Sequence, residues 1–226
     1  AVILNLACAL GGFVINPVIP IYRQSELRFI LRDCRARIAF VPDAWRSVDY
    51  RGMYAELAAD LSELEHVATV RGDADSAGAP TFEAIETRGR ESTIELTPAD
   101  PDSAKLIIYT SGTTGLPKGV IYSHNQAQRP IRMSMEAWGL GASDTLLMPS
   151  PVTHVTGYSY GMELPFHFGT RTVLMERWVA AEAIELTERY GVDFMIGATP
   201  FLAELVAQAE QARTGLESLR IYACGG

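Results

Sequence analysis

The chain has 226 residues, 48% of them hydrophobic and 20% charged, with a formal net charge of −8 at pH 7. That much apolar material offsets the entropy of ordering a core and excludes a disordered chain. Three scattered cysteines, Cys8, Cys34 and Cys224, cannot build a disulfide framework and suit a reducing compartment, while 19 Lys+Arg against 27 Asp+Glu leave no basic surplus for nucleic acid. The length fits one domain or two small ones.

Residues 1–22 carry no charged side chain. A membrane span needs about 20 apolar residues, but Asn5, Gly11, Gly12, Asn16, Pro17 and Pro20 interrupt this run. It lacks the basic start and small-residue cleavage site of a secretory leader. The expectation is no membrane span but a buried helix ending at Gly11-Gly12, then a buried strand over 13–16. Ser25 is the expected N-cap of a helix over 26–32. A strand over 37–41 stops at Pro42, a helix covers 54–64, and a strand covers 66–70. Residues 71–103 are rich in Gly, Pro, Asp, Ser and Thr and predict a long surface connection with a short helix near 82–86.

Beyond it, strands are expected over 105–109 and 119–122, then a helix over 125–138 with Pro130 in its first turns. A short buried strand at 146–149 precedes a helix over 155–166 and a strand over 170–175. A helix over 179–190 stops at Gly191. A strand over 192–196, a helix over 200–212 opening with Pro200, and a strand over 219–222 complete the series. Alternating strands and helices predict an α/β fold with parallel-rich sheets flanked by helices. There is no internal repeat, heptad or low-complexity tract. The chain starts at Ala1 and stops at Cys224-Gly225-Gly226, directly behind a strand, where open α/β sheets place ligand loops. The expectation is a piece of a longer chain.

One segment carries chemistry: Tyr109-Thr110-Ser111-Gly112-Thr113-Thr114-Gly115-Leu116-Pro117-Lys118-Gly119. Gly112 and Gly115 let the backbone turn several N–H groups toward one anion. Thr110, Ser111, Thr113 and Thr114 add hydroxyls, and Lys118 adds positive charge. The physical reading is a polyphosphate cradle. It is not the Walker type, which needs G-x-x-x-x-G-K-[ST] opening a helix. Here a strand follows, so the cradle relies on amides, hydroxyls, Lys118 and a metal arriving with the nucleotide.

This string resembles the signature loop of the adenylate-forming superfamily, which includes acyl-CoA synthetases, luciferases and nonribosomal-peptide adenylation domains. Further stretches resemble that family in the same order. They are Ala9 to Pro20, Ser123-His124, Pro149 to Gly157 with His154, Ala198-Thr199-Pro200 with Ala where Gly is usual, and Leu219-Arg220 through Gly225-Gly226. Asn16-Pro17 with Ile19 to Arg23 leans toward the acyl- and cyclohexanecarboxylate-CoA ligase branch.

The resemblance implies the acyl-CoA synthetase-like fold, with the whole chain a part of its large N-terminal domain. Residues 1–103 would form its first part and 104–226 the part with signature loop and acyl pocket. The later Tyr-Gly-x-Thr-Glu strand, the hinge and the C-terminal domain are not in this sequence, so the chain alone is expected to be incompetent. The implied reaction joins ATP and a carboxylic acid into an acyl-adenylate, which CoA converts to a thioester in cytoplasmic fatty acid metabolism. ATP, Mg²⁺ and CoA are the implied ligands and a small carboxylic acid the partner, with homo-oligomerisation open. Thr110, Ser111, Gly112, Thr113, Thr114, Gly115 and Lys118 would hold the β- and γ-phosphates. His154 would contact the carboxylate or gate its tunnel. Gly157 and Tyr158 begin an acyl-lining stretch with Tyr160, Met162 and Leu164. Gly225 and Gly226 would wall the adenine and carboxylate.

Other readings stand beside this one. The protein could be another adenylate-forming enzyme, luciferase-like or a peptide-synthetase domain, or a nucleotide-binding remnant without chemistry. Gly157-Tyr158-Ser159-Tyr160-Gly161 matches the nucleophile elbow of α/β hydrolases, but only His167 follows Ser159 and no Asp lies between them. His154 could be a hydrogen-bonded structural histidine, and His124 is read as structural. His66 and His167 stand alone without metal-ligand spacing. Cys224 is read as buried filler, and the Glu and Arg residues of 176–190 as a solvated helix face.

Overall fold

The structure, a computed structural model, describes residues 1–71, 80–110 and 115–224. The chain forms two compact units interleaved in sequence. One contains Ala1–Ile19, Thr97–Ile108 and Ile121–Gly226, the other Pro20–Leu96 and Tyr109–Val120.

Helix α1 (Val2–Gly11) ends at Gly12, which takes the left-handed conformation at φ 70°. The predicted helix stop is correct, but the predicted burial is not. Only Asn5 is buried, and Leu10 and Phe13 are 57% and 66% exposed. Nor is 13–16 a strand: Ile15 alone bridges to Leu106. Pro17 and Pro20 lack the N–H groups that a longer ladder requires. Among the described residues no helix is long and apolar enough to cross a membrane.

In the second unit, α2 (Gln24–Asp33) buries Leu27, Ile30 and Leu31. Its N-cap is Arg23 rather than the expected Ser25. The Glu26 carboxylate accepts the Arg23 amide at 3.3 Å, and Ser25 donates its hydroxyl to Glu26 at 2.7 Å. Strand β1 (Ile38–Pro42) is followed by the antiparallel pair β2 (Ala44–Trp45) and β3 (Val48–Asp49). Helix α3 (Tyr50–Asp60) starts four residues before its predicted position because Asp49 caps it, accepting from the Gly52 amide at 2.7 Å. Strand β4 (His66–Val70) pairs parallel with β1, from Ile38↔His66 to Pro42↔Val70. Helix α4 (Phe82–Arg90), capped by Thr81, outruns the short helix expected near 82–86.

Strands β5 (Ala104–Thr110) and β6 (Lys118–Ser123) pair as a two-stranded sheet, and both run across the division between the units. Helix α5 (His124–Trp138) then opens on a capping box between Ser123 and Gln126. The first unit's main sheet contains β7 (Thr145–Met148), β8 (Arg171–Leu174), β9 (Phe194–Gly197) and β10 (Ile221–Cys224), all parallel, in the order β10-β9-β7-β8. The helix expected over 155–166 is a π-helix, Gly157–Glu163, continuing into α6 (Leu164–Phe168). Helix α7 (Ala180–Tyr190) stops at left-handed Gly191, and α8 (Thr199–Ala212) starts with Pro200 in its first turn.

Burial along β7 shows why this sheet is a core. Leu146 and Met148 pack with Ile131, Met135 and Leu164 on one face. Leu147 packs with Ala183, Val192 and Leu205 on the other. A parallel strand covered by helices on both faces is apolar at every position rather than at alternate ones. At the opposite end of β7 from His154, Arg220 ion-pairs with Asp144 and lies 3.4 Å from Asp193. Asp193 also accepts the Thr145 amide at 2.8 Å.

Leu146, fully buried, sets a stability test. Leu146→Ala should lower unfolding free energy by about 2–5 kcal/mol, whereas Leu10→Ala on the exposed face of α1 should stay within about 0.5 kcal/mol, both read from urea midpoints.

Candidate functional site

The signature segment belongs to the second unit. Strand β5 delivers it, with Tyr109 only 5% exposed. The Tyr109 hydroxyl donates to the Asp33 carboxylate at 2.6 Å, anchoring the root of the segment to the end of α2. Burial and this bond both push the phenol above its usual range, so it remains a donor. Thr110 ends β5 and is exposed. Ser111, Gly112, Thr113 and Thr114 lie outside the described residues. Gly115 has φ +104°, and a Cβ there would meet nothing within 4 Å, so backbone conformation requires the glycine. Lys118 opens β6, is exposed, and has no carboxylate partner among the described residues. A strand, β6, follows the segment, as the sequence predicted.

The acid-side segment belongs to the first unit. Because its main sheet is parallel, the stretches following β7, β9 and β10 leave from one edge. The resemblance to the family placed His154, Ala198-Thr199-Pro200 and Gly225-Gly226 on these stretches. Gly225 and Gly226 lie outside the described residues. Gly197 and Pro149 touch at this edge: a Cβ on Gly197 would come within 3.2 Å of the Pro149 ring.

His154 is exposed, in the turn after β7. Its amide donates to Pro151 O at 3.0 Å, and its carbonyl accepts from Tyr158 at 2.8 Å. The Thr156 amide donates to His154 Nδ1 at 3.3 Å. In the neutral ring the proton therefore resides on Nε2, available to an anionic oxygen. Gly157 is needed for packing: a Cβ would lie 2.1 Å from Pro151 O. Tyr158, Met162 and Leu164 are almost wholly buried inside the first unit. The Tyr160 hydroxyl shares a 2.7 Å hydrogen bond with Ser134.

Sequence reasoning missed a polar network beneath this segment. The Tyr158 hydroxyl donates to Asn5 Oδ1 at 2.6 Å, and Asn5 Nδ2 donates to Glu163 Oε1 at 2.6 Å. Lys105 Nζ lies 2.5 Å from Glu163 Oε2, and His167 Nε2 lies 3.3 Å from the same oxygen. Gln128 is 3.3 Å from His167 Nδ1, which closes the chain on α5. Burial by itself would raise the Glu163 carboxyl pKa, but hydrogen bonds from His167, Lys105 and Asn5 prevail and hold it down at about 2. His124, at the start of α5, is shifted down by burial and by the Lys105 charge. The signal was one lysine in the strand sequence AKLIIYT and one glutamate in the apolar run GMELPFHF.

Two expectations need correction. Cys224 is exposed, not filler, because it ends β10 at the side of the sheet. Ser159 sits within a π-helix, not on a strand-to-helix elbow, and His167 is engaged with Glu163 and Gln128, which removes the hydrolase reading. Among the described residues no three His, Cys, Asp or Glu side chains are grouped to hold a metal.

The family model for AMP-binding enzymes matches residues 1–226. The chain is similar to the medium-chain fatty-acid–CoA ligase of Escherichia coli K12, 30% identical over 224 residues, covering 99% of this chain and 39% of that protein. It is similar to the benzoate–CoA ligase of Thauera aromatica, 26% identical over 216 residues, covering 95% of this chain and 39% of that protein. The chain thus spans about two-fifths of the length of these relatives. Its fold matches O-succinylbenzoate coenzyme A synthetase from Bacillus subtilis, solved in complex with AMP, with a TM-score of 0.75 at 22% identity. That match covers 100% of this chain and 51% of the other.

The depressed Glu163 carboxyl fixes the sign of an acid response. Its pKa is lowered on folding, so the stabilisation is present above the unfolded value and lost as pH falls through the folded one. Unfolding free energy should decline from about pH 5 toward pH 2, and Glu163→Gln should flatten that decline, as read by urea denaturation across pH.

Proposed function

The chain belongs to the AMP-binding enzyme family, and on that premise we propose that the protein carrying it activates a carboxylic acid with ATP and transfers the acyl group to CoA. The carboxylate oxygen attacks the α-phosphorus, the bond to the β-phosphate oxygen breaks, and acyl-adenylate and pyrophosphate result. The CoA thiolate then attacks the acyl carbon, giving thioester and AMP. No covalent enzyme intermediate is required, so the protein's work is positioning and charge stabilisation.

The observation that supports this most is the unbroken string 109–119, running from the end of β5 to the start of β6, with Lys118 exposed and without a carboxylate partner among the described residues. Thr110, Ser111, Gly112, Thr113, Thr114 and Gly115 supply amides and hydroxyls to the β- and γ-phosphates, and Lys118 supplies charge. Magnesium enters with ATP as part of the substrate. His154, with its proton on Nε2, donates to the acid's carboxylate and orients it. Gly157 allows the tight turn that presents His154. Tyr158 acts from inside the fold rather than as an exposed pocket wall. Gly225 and Gly226 take the adenine and carboxylate wall. The acid is apolar, in keeping with the medium-chain fatty acid and the benzoate for which two of the relatives are named. The location is cytoplasmic, a reading supported by the use of ATP and CoA and by the three cysteines being outside any disulfide.

Carboxylate-dependent ATP–pyrophosphate exchange, measured on the gene product that carries this chain with a panel of apolar acids, tests the proposal. Exchange with at least one acid is expected, and Lys118→Ala should reduce it about tenfold or more, mainly through the KM for ATP. Unchanged exchange in Lys118→Ala would remove the cradle assignment.

A further inference from the structure

Lys105, Glu163, Asn5 and Tyr158 are 6%, 3%, 1% and 0% exposed, and no step of the proposed reaction uses them. A buried ion pair is an expensive way to hold a fold together, since apolar side chains of similar volume often stabilise as well or better. Each member here has a hydrogen-bond partner within the network, and such a network specifies one arrangement of the elements that contribute to it. Those elements are α1, β5, the π-helix and, through Gln128, α5.

The π-helix is the element most in need of such specification. The i→i+5 form is rare, survives where its surroundings impose it, and is frequent at functional sites. Glu163 is its last residue and Tyr158 its second. From Glu163 the contacts lead back to His154 without a gap. Asn5 joins Glu163 to the Tyr158 hydroxyl. The Tyr158 amide donates to His154 O, and the His154 amide donates to Pro151 O. Gly157 removes the one Cβ that would push this turn away from the π-helix.

We infer that Glu163, held by Lys105 and Asn5, is a positioning residue for His154: it fixes the π-helix, and with it the turn 151–154, against β5 and α1. Lys105 and Asn5 share that work. The catalytic consequence rests on the carboxylate role proposed for His154. The structural consequence does not.

The test compares the wild-type gene product with Glu163→Gln and with the double variant Lys105→Met/Glu163→Met, which removes both charges and keeps the volume. Thermal midpoint, amide hydrogen exchange over 151–168, and the kinetic constants of acid-dependent pyrophosphate exchange are read for each. The double variant is expected to keep a midpoint close to wild type. Its amides over 151–168 should exchange about tenfold faster or more while those of α7 and α8 hold. Its kcat/KM for the acid should fall about tenfold or more, with the KM for ATP within about twofold. If the double variant does not fold, Glu163→Gln, which keeps an acceptor for Asn5 but leaves the Lys105 charge unpaired, should show the same two changes. A double variant with wild-type protection over 151–168 and wild-type kcat/KM for the acid overturns the inference, because packing alone would then account for the network. If the wild type exchanges pyrophosphate with no acid, the reaction reading fails separately, and the amide exchange alone decides the positioning role.

Discussion

The Lys105–Glu163 pair is the constraint on which the first unit turns. Each charge is removed from water and is tolerable only because the other is there, with Asn5 and His167 filling the remaining hydrogen-bonding capacity of the carboxylate. The pair joins residues 58 positions apart in sequence, and Asn5 lies a further 100 positions before Lys105. Removing either partner leaves an uncompensated buried charge, and removing Glu163 also takes away a bond to Asn5, the one buried residue of α1. Helix α1 is therefore held by one asparagine as much as by hydrophobic burial.

In the proposed reaction, ATP and acid are handled by two segments of different construction. Residues 109–119 run from the end of β5 to the start of β6, and in the proposal they offer backbone amides, hydroxyls and one exposed lysine to the phosphates. The acid-side segment uses a different device. Parallel strands send every following stretch to one edge, so the turn after β7 and the start of α8 after β9 leave from the same side of the sheet. Leu146, Leu147 and Met148 hold β7 rigid from both faces, and the Arg220, Asp144 and Asp193 cluster pins the strand's start. His154 is carried on a loop, and the scaffold beneath it is among the most deeply buried parts of the chain.

Much of this was legible in the residues. Alternating apolar runs gave β4 and β7 nearly to the residue, and glycines marked the ends of α1 and α7. The cradle was readable because its chemistry lies in eleven consecutive positions. Four things were not legible, each for a physical reason. Helix starts moved where another residue capped: Arg23 with Glu26 at α2, in place of Ser25, and Asp49 at α3. The apolar start was read as buried because composition reports hydrophobicity and not what lies opposite it. The Asn5, Lys105, Tyr158 and Glu163 network was invisible because its members are far apart in sequence and meet only through the fold. A π-helix has no periodicity that a helical wheel detects, so 155–166 read as an ordinary helix.

The central claim is that activation proceeds through a mixed anhydride of the acid with AMP. It is tested most directly by incubating the gene product with α-labelled ATP, magnesium and a responding acid in the absence of CoA, quenching in acid, and separating the nucleotides. The account predicts acyl-AMP with an equal amount of pyrophosphate, and its conversion to thioester and AMP once CoA is added. Formation of ADP, or thioester arising only when all three substrates are present with no acyl-AMP at any time, would contradict it.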